Sequence, residues 1–225
     1  MAPPIGPSGV IFDLDGTLLN TLDDLADAMN LVLARHGWPE HPVDSYRRFV
    51  GNGVGMLVRR AMPEDRRNEE LVAGVVREMR EEYARRWAEK TRPYPGVEQL
   101  LNTLGELAVP LAVLSNKPHD ATLAMVRHFF PTDMFCIVNG AKPDKPRKPD
   151  PTTALETARF LGLAPQSVLF LGDSDADMLT AAAADMVPLG AGWGFRGTEE
   201  LIASGAREVL QRPTELLAWV RKHGA

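Results

Sequence analysis

From residue 93 onward, apolar runs of strand length alternate with segments of helical spacing, and this rhythm constrains the fold most. Strand-length runs occur at 109–114, 135–138, 167–171, 186–189 and 207–210. Helical segments are expected at 96–107, 118–129, 151–162, 174–184, 197–204 and 213–222. Such alternation specifies parallel strands joined by crossover helices, hence a doubly wound sheet. One further strand, over 9–13, belongs to the same sheet but is separated from it by a stretch of different character. There Leu22, Leu25, Ala26, Met29, Val32 and Leu33 follow helical spacing up to Gly37, with Asn20 or Thr21 as the cap. A short helix over 43–50, another from Val54 to Ala61 and a long one over 68–90 follow. The long helix carries Glu81/Arg85 and Glu82/Arg86 at the favourable i, i+4 spacing, and Pro93, Pro95 and Gly96 end it. The chain thus reads as a core of residues 1–19 and 93–225 with an all-helical insertion over 20–92.

In open parallel sheets, ligands bind beyond the carboxyl ends of the strands. Those ends are Asp13-Leu14-Asp15, Ser115-Asn116-Lys117 and Gly172-Asp173-Ser174-Asp175. Side chains at i and i+2 of a strand share a face, so Asp13 and Asp15 converge. Two anions held together repel unless a cation or a proton lies between them. Each motif alone has a plainer reading. Asp-Gly is a common surface turn, and Asp173 with Ser174 would simply cap a helix. What separates the readings is that three strands deliver polar chemistry to one edge.

Charge is placed unevenly. Residues 1–30 hold five Asp and no Lys or Arg, residues 165–190 hold four Asp and no base, and residues 43–92 hold 12 Lys/Arg against 9 Asp/Glu. This pattern predicts a cation site that faces a region tolerant of anions. A formal charge of −5 argues against nucleic acid as a partner, and no apolar run approaches the roughly 20 residues of a membrane span. Residues 1–8 read as a loose tail without the basic start or apolar stretch of a signal peptide. The single cysteine, Cys136, lies between Phe135 and Ile137; it excludes an internal disulfide and is expected in a buried strand. A cytoplasmic protein is the expectation. Gly51, Gly53 and Gly55 follow no strand and lack dinucleotide-loop spacing, and the five histidines lack metal-ligand spacing.

Taken together, Asp13-Leu14-Asp15-Gly16-Thr17-Leu18, Ser115 after its strand, Lys148 in Arg147-Lys148-Pro149-Asp150-Pro151, and Gly172-Asp173-Ser174-Asp175-Ala176-Asp177 resemble the four motifs of the haloacid dehalogenase-like hydrolases. The resemblance is nearest to the phosphoglycolate phosphatase branch, through Phe49-Val50-Gly51-Asn52-Gly53, Arg59-Arg60, Pro93-Tyr94-Pro95-Gly96-Val97 and Ser115-Asn116-Lys117-Pro118. Asn20 stands where an aspartate is frequent, and Asp185 where a glycine is usual.

The resemblance implies an α/β fold, a Rossmann-like doubly wound parallel sheet with the helical insertion as a cap domain that closes over the substrate. It implies a Mg2+-dependent phosphatase acting on a small phosphorylated metabolite, 2-phosphoglycolate first, through an aspartyl phosphate on Asp13. Asp15 is then the acid and base, and crowding by Asp13 and Asp173 is expected to raise its proton affinity. Asp13, the backbone carbonyl of Asp15 and Asp173 are the implied metal ligands, with Asp177 and Thr17 behind them. Ser115, Asn116 and Lys148 are implied to bind phosphate, and Lys148 also to restrain Asp13. Lys117, Asn52, Arg59 and Arg60 are candidates for substrate contact. The expected assembly is a monomer or homodimer. Other phosphatases of this type, a pyrophosphatase, a phosphomutase, and a silent regulator binding Mg2+ and phosphate remain as alternatives.

Overall fold

Strand β1 (Gly9–Phe12) is buried along its whole length, which explains its unbroken apolar sequence. A computed structural model describes residues 9–223 of the chain; the segment 1–8, expected as a loose tail, lies outside the described residues. Contacts divide the chain into two compact units, one up to Leu19 and from Pro93 onward, the other Asn20–Arg92. The two crossings run through short strands β2 (Leu19–Asn20) and β3 (Arg92–Pro93), which pair as a separate two-stranded sheet.

The helical unit contains α1 (Leu22–Arg35), α2 (Tyr46–Phe49), α3 (Val54–Ala61) and α4 (Glu69–Arg86). Helix α4 buries Val72, Val75, Met79 and Glu82, a single stripe at helical spacing. Glu82 therefore occupies a core-facing position. Its charge is offset by Arg35 at 2.5 Å and Arg86 at 2.6 Å. Arg85 also turns to Glu82, at 3.6 Å, rather than to the expected Glu81. Asn20 supplies the side-chain contact at the start of α1, accepting from the Leu22 amide at 3.3 Å. Fully buried Asp24 accepts from the amides of Lys90 and Thr91 and from the Thr91 hydroxyl, at 2.7–3.1 Å. It ties the end of this unit to its beginning.

The core unit continues with α5 (Val97–Glu106), β4 (Leu111–Pro118), α6 (His119–Phe129), β5 (Ile137–Ala141) and α7 (Thr152–Phe160). It closes with β6 (Val168–Gly172), α8 (Asp175–Ala183), β7 (Val187–Ala191), α9 (Thr198–Ala203), β8 (Glu208–Leu210) and α10 (Glu215–His223). The six strands form one parallel sheet in the order β5-β4-β1-β6-β7-β8. The chain adds strands outward from β1 on one side, then returns and adds them on the other. Such a reversal opens a crevice at the carboxyl end of the first strand. Ile11, Ala112, Leu114, Val168 and Phe170 pack with Ala154, Ala158, Ala181 and Ala184, so small helical residues let the helices lie close to the sheet.

Two local expectations change. Cys136 is exposed and precedes β5. Successive side chains alternate, and Phe135 takes the inward place, edge-on to Phe12 and Phe130 with ring centroids at 6.5 and 5.7 Å. Strand β4 also runs beyond Leu114 to Pro118, with a shift of register between those residues. Asp185 takes φ +57° in the turn between α8 and β7, a conformation that aspartate tolerates better than most residues.

Replacing Asp24 by Ala strands two buried donors of Thr91 and the partly buried Lys90 amide and should cost about 2–4 kcal/mol of stability, while Asp24→Asn, which keeps one acceptor oxygen, should cost about half of that. Urea denaturation of the whole chain measures both.

Candidate active site

The register of the sheet sets where the polar residues stand. Phe12 lies level with Val113 on one side and Leu171 on the other, and the Asp13 amide extends the ladder to the Leu171 carbonyl at 2.9 Å. One step further along each strand therefore brings Asp13 beside Leu114 and Gly172. Asp15, Ser115 and Asp173 follow immediately. The segment after Asp13 folds back tightly: the amides of Leu18 and Leu19 donate to the Leu14 carbonyl, and the Gly16 amide to that of Leu19. Gly16 has φ +90°, and a Cβ there would sit 2.1 Å from Oδ2 of Asp173. Only glycine meets both demands.

Asp13, Asp173 and Asp177 are buried, with carboxylate oxygens within 4.8 Å of one another. The single ammonium among them is that of Lys148. Its Nζ donates to Asp13 Oδ1 at 2.8 Å, Asp177 Oδ1 at 2.6 Å and the Leu114 carbonyl at 2.9 Å. All three of its hydrogens are thus engaged, and its influence on a further anion acts through charge. The Asn116 side chain pins the lysine's backbone from both directions, accepting from the Lys148 amide at 2.9 Å and donating to its carbonyl at 3.0 Å.

Three carboxylates against one ammonium leave a formal deficit of two positive charges. Burial pushes Asp13 up to about 7; Lys148 opposes the rise, while Asp177 and Asp15 add to it. Burial, followed by Asp13 and Asp177, likewise raises Asp173 well above the usual carboxylate range. Burial alone would lower Lys148, but its two aspartate neighbours outweigh that and hold it above the ordinary lysine value. The cluster fits a divalent cation in both charge and donor type, since Mg2+ takes oxygen ligands. Asp13 and Asp173 each keep a second oxygen beyond those given to Lys148 Nζ and to the Phe195 amide.

Asp177 has two tasks. Its Oδ2 accepts from the amide and hydroxyl of Ser174, at 3.0 and 2.6 Å, at the start of α8, while Oδ1 holds Lys148. The plain capping role therefore belongs to Ser174 and Asp177, and Asp173 is left to the cluster. Asp15 is bound by both oxygens to Lys117 Nζ, at 2.9 Å each. The Lys117 amide in turn donates to the buried Ser115 hydroxyl at 3.3 Å. The Thr17 hydroxyl is buried without a hydrogen-bond partner, while the Thr17 carbonyl accepts from Trp193 Nε1 at 3.0 Å. In the helical unit Arg59 pairs with Glu69, and Arg60 donates to Asn52 Oδ1 at 2.8 Å and to the carbonyls of Arg48 and Phe49.

One contributor has no sequence signature. The Phe195 amide donates to Asp173 Oδ2 at 2.7 Å from the loop after β7. A backbone group carries no residue preference. The neighbouring Gly194, whose Cβ would fall 2.3 Å from that of Asp173, is the nearest thing to a signal.

A family model for haloacid dehalogenase-like hydrolases matches residues 10–191. A phosphoglycolate phosphatase of Psychrobacter arcticus is 32% identical over 85% of this chain and 86% of its own length. One from Neisseria meningitidis serogroup A is 34% identical over 83% of this chain and 80% of its own length. A crystal structure from Lactobacillus delbrueckii subsp. bulgaricus, of a protein that carries the same name provisionally, superposes with a TM-score of 0.90 at 29% identity. It covers 96% of this chain and 99% of that one.

A carboxyl whose proton affinity is higher in the folded than in the unfolded chain binds extra protons when folded, so stability falls as pH rises through that interval. For Asp13 the interval runs from the ordinary 3.8 to about 7. In chelator, the melting temperature should therefore fall between about pH 5 and about pH 8, and added Mg2+ should raise it more at the higher pH. Asp173→Asn should raise the melting temperature in chelator at about pH 8 and abolish the Mg2+ response. Thermal melts with and without Mg2+ test both. Gly16→Ala should lose the Mg2+ response as well, through displacement of Asp173.

Proposed function

This chain belongs to the haloacid dehalogenase-like hydrolases, and from that premise we propose that it is a Mg2+-dependent phosphatase of small phosphate monoesters, with 2-phosphoglycolate as its leading substrate. The observation that carries this reading is the buried group of Asp13, Asp173 and Asp177 with Lys148 as its only ammonium among the described residues. The relatives named phosphoglycolate phosphatase supply the choice of ester.

Asp13, Asp173 and the backbone carbonyl of Asp15 would hold the ion, and Asp177 would support it from behind. When bound, Mg2+ supplies charge that keeps the Asp13 carboxyl ionised and offsets the phosphoryl oxygens. Phosphoryl transfer has a loose transition state, so position and charge matter more than the strength of the nucleophile. A buried carboxylate fixed by Lys148 meets that need. An oxygen of Asp13 attacks phosphorus as the bond to the leaving oxygen breaks, and Asp15 gives that oxygen its proton. Water then attacks the aspartyl phosphate, Asp15 takes the water's proton, and the bond between Asp13 and phosphorus breaks to release phosphate. Ser115 and the Asn116 amide bind the phosphoryl oxygens, and Lys148 holds Asp13 against recoil. The helical unit serves as the cap domain, with Asn52, Arg59 and Arg60 as its candidates for substrate contact. A cytoplasmic location belongs to the same proposal, since small charged phosphate esters do not cross membranes unaided.

A panel of phosphate esters assayed with Mg2+ and with chelator tests the proposal. Hydrolysis should require Mg2+ and favour 2-phosphoglycolate. Asp13→Asn should lower turnover by at least ~10³-fold and Asp15→Asn by ~10²–10⁴-fold. A beryllium fluoride adduct on Asp13 should appear in the wild-type chain. Full turnover by Asp13→Asn would end this reading.

A further inference from the structure

Asp15 follows Asp13 by two residues, a spacing that on a regular strand turns both carboxylates to one spot. Yet the oxygens that come together are those of Asp13, Asp173 and Asp177. Asp15 is held instead by a second lysine, with both oxygens 2.9 Å from Lys117 Nζ. The two lysines thus divide three of the four carboxylates: Lys148 takes Asp13 and Asp177, and Lys117 takes Asp15, while Asp173 accepts from the Phe195 amide. The Lys117 side chain is 6% exposed and that of Asp15 14%, so bulk salt screens the pair weakly. The lysine's backbone is itself anchored, its amide donating to Ser115 Oγ at 3.3 Å and its carbonyl accepting from the Thr122 hydroxyl at 3.2 Å. Gly140 packs against this anchor, where a Cβ would fall 2.8 Å from the Lys117 carbonyl oxygen. A short, doubly bonded contact from a fixed backbone defines where the Asp15 oxygens stand.

We propose that Lys117 is the positioning residue of Asp15, keeping its carboxyl apart from the metal cluster and presenting it to the leaving oxygen. The proposal rests on the reading of Asp15 as proton donor and acceptor. In the first half-reaction the bond between Asp13 and phosphorus forms, the bond to the leaving oxygen breaks, and the proton of Asp15 passes to that oxygen. In the second, water's oxygen bonds to phosphorus, its proton returns to Asp15, and the bond between Asp13 and phosphorus breaks. Lys117 makes and breaks no bond in either step; it acts through the Asp15 oxygens that it holds. Its effect is geometric, and a proton donor displaced by an ångström loses much of its value.

Such a role has a readout that a general structural role lacks. An alkoxide leaves poorly and needs the proton, whereas 4-nitrophenolate leaves well without it. The wild-type chain, Lys117→Met, Lys117→Arg and Asp15→Asn should therefore be assayed with Mg2+ on 2-phosphoglycolate, ethyl phosphate, phenyl phosphate and 4-nitrophenyl phosphate, with thermal melts alongside. Lys117→Met should lower kcat by about 30–100-fold on the alkyl esters and by less than about 5-fold on 4-nitrophenyl phosphate, with KM changed little. Lys117→Arg, which retains a charged donor, should recover part of the loss on the alkyl esters. Combined with Asp15→Asn, Lys117→Met should add no further loss on them, because both act on one proton transfer. An equal loss on every ester, unchanged turnover of the alkyl esters, or losses that multiply in the double variant would overturn the role of Lys117 while leaving the phosphatase reading standing. A wild-type chain that hydrolyses none of the esters would instead overturn that reading, and this inference with it.

Discussion

Three buried carboxylates sharing one ammonium is the arrangement on which the rest of the site depends. Carboxylates in a low-dielectric interior are costly unless charge of the opposite sign lies among them. Lys148 meets part of that cost through contacts with Asp13 and Asp177. What remains is the raised proton affinity of Asp13 and Asp173, caused first by their burial and then by the neighbouring carboxylates. A fold optimised for stability alone would not gather these groups. Active sites commonly keep such destabilising clusters because the same deficit draws in a cation or a reacting group.

The groups that hold this arrangement are largely backbone groups and small residues. The Asn116 side chain grips the main chain of Lys148, the Phe195 amide holds Asp173, and Trp193 anchors the Thr17 carbonyl. Gly16 and Gly194 leave the space into which Asp173 fits. Four separate segments therefore converge on a few carboxylates, and each is fixed at the end of a buried parallel strand or in the loop that follows one. Rigid strands give such a site more precise geometry than long loops would. Asp177 illustrates the economy of the arrangement, since one side chain begins a helix and holds the central lysine.

Much of the fold was legible because its signals are local and repeated. Continuous apolar runs such as Val168–Leu171 mark strands buried on both faces, and the stripe of α4 marks a helix with one covered side. Local pattern does not suffice where a neighbour decides the outcome. Cys136 looked like a strand residue, but the inward place belonged to Phe135 once its ring met Phe12 and Phe130. Arg85 chose Glu82 over Glu81 because Glu82 is the buried charge.

For the site, the chain's order of residues determined that Asp13, Asp15 and Asp173 would stand just past strand ends and Ser115 near the end of β4, because strand alternation and turn chemistry are properties of short segments. Tertiary structure alone decided their partners. Sequence spacing puts Asp13 and Asp15 together, but the fold separates their side chains between Lys148 and Lys117. Those lysines lie 135 and 102 residues from the aspartates they hold. A pairing across such distances depends on which strands lie side by side and in what register, and no local pattern carries that information.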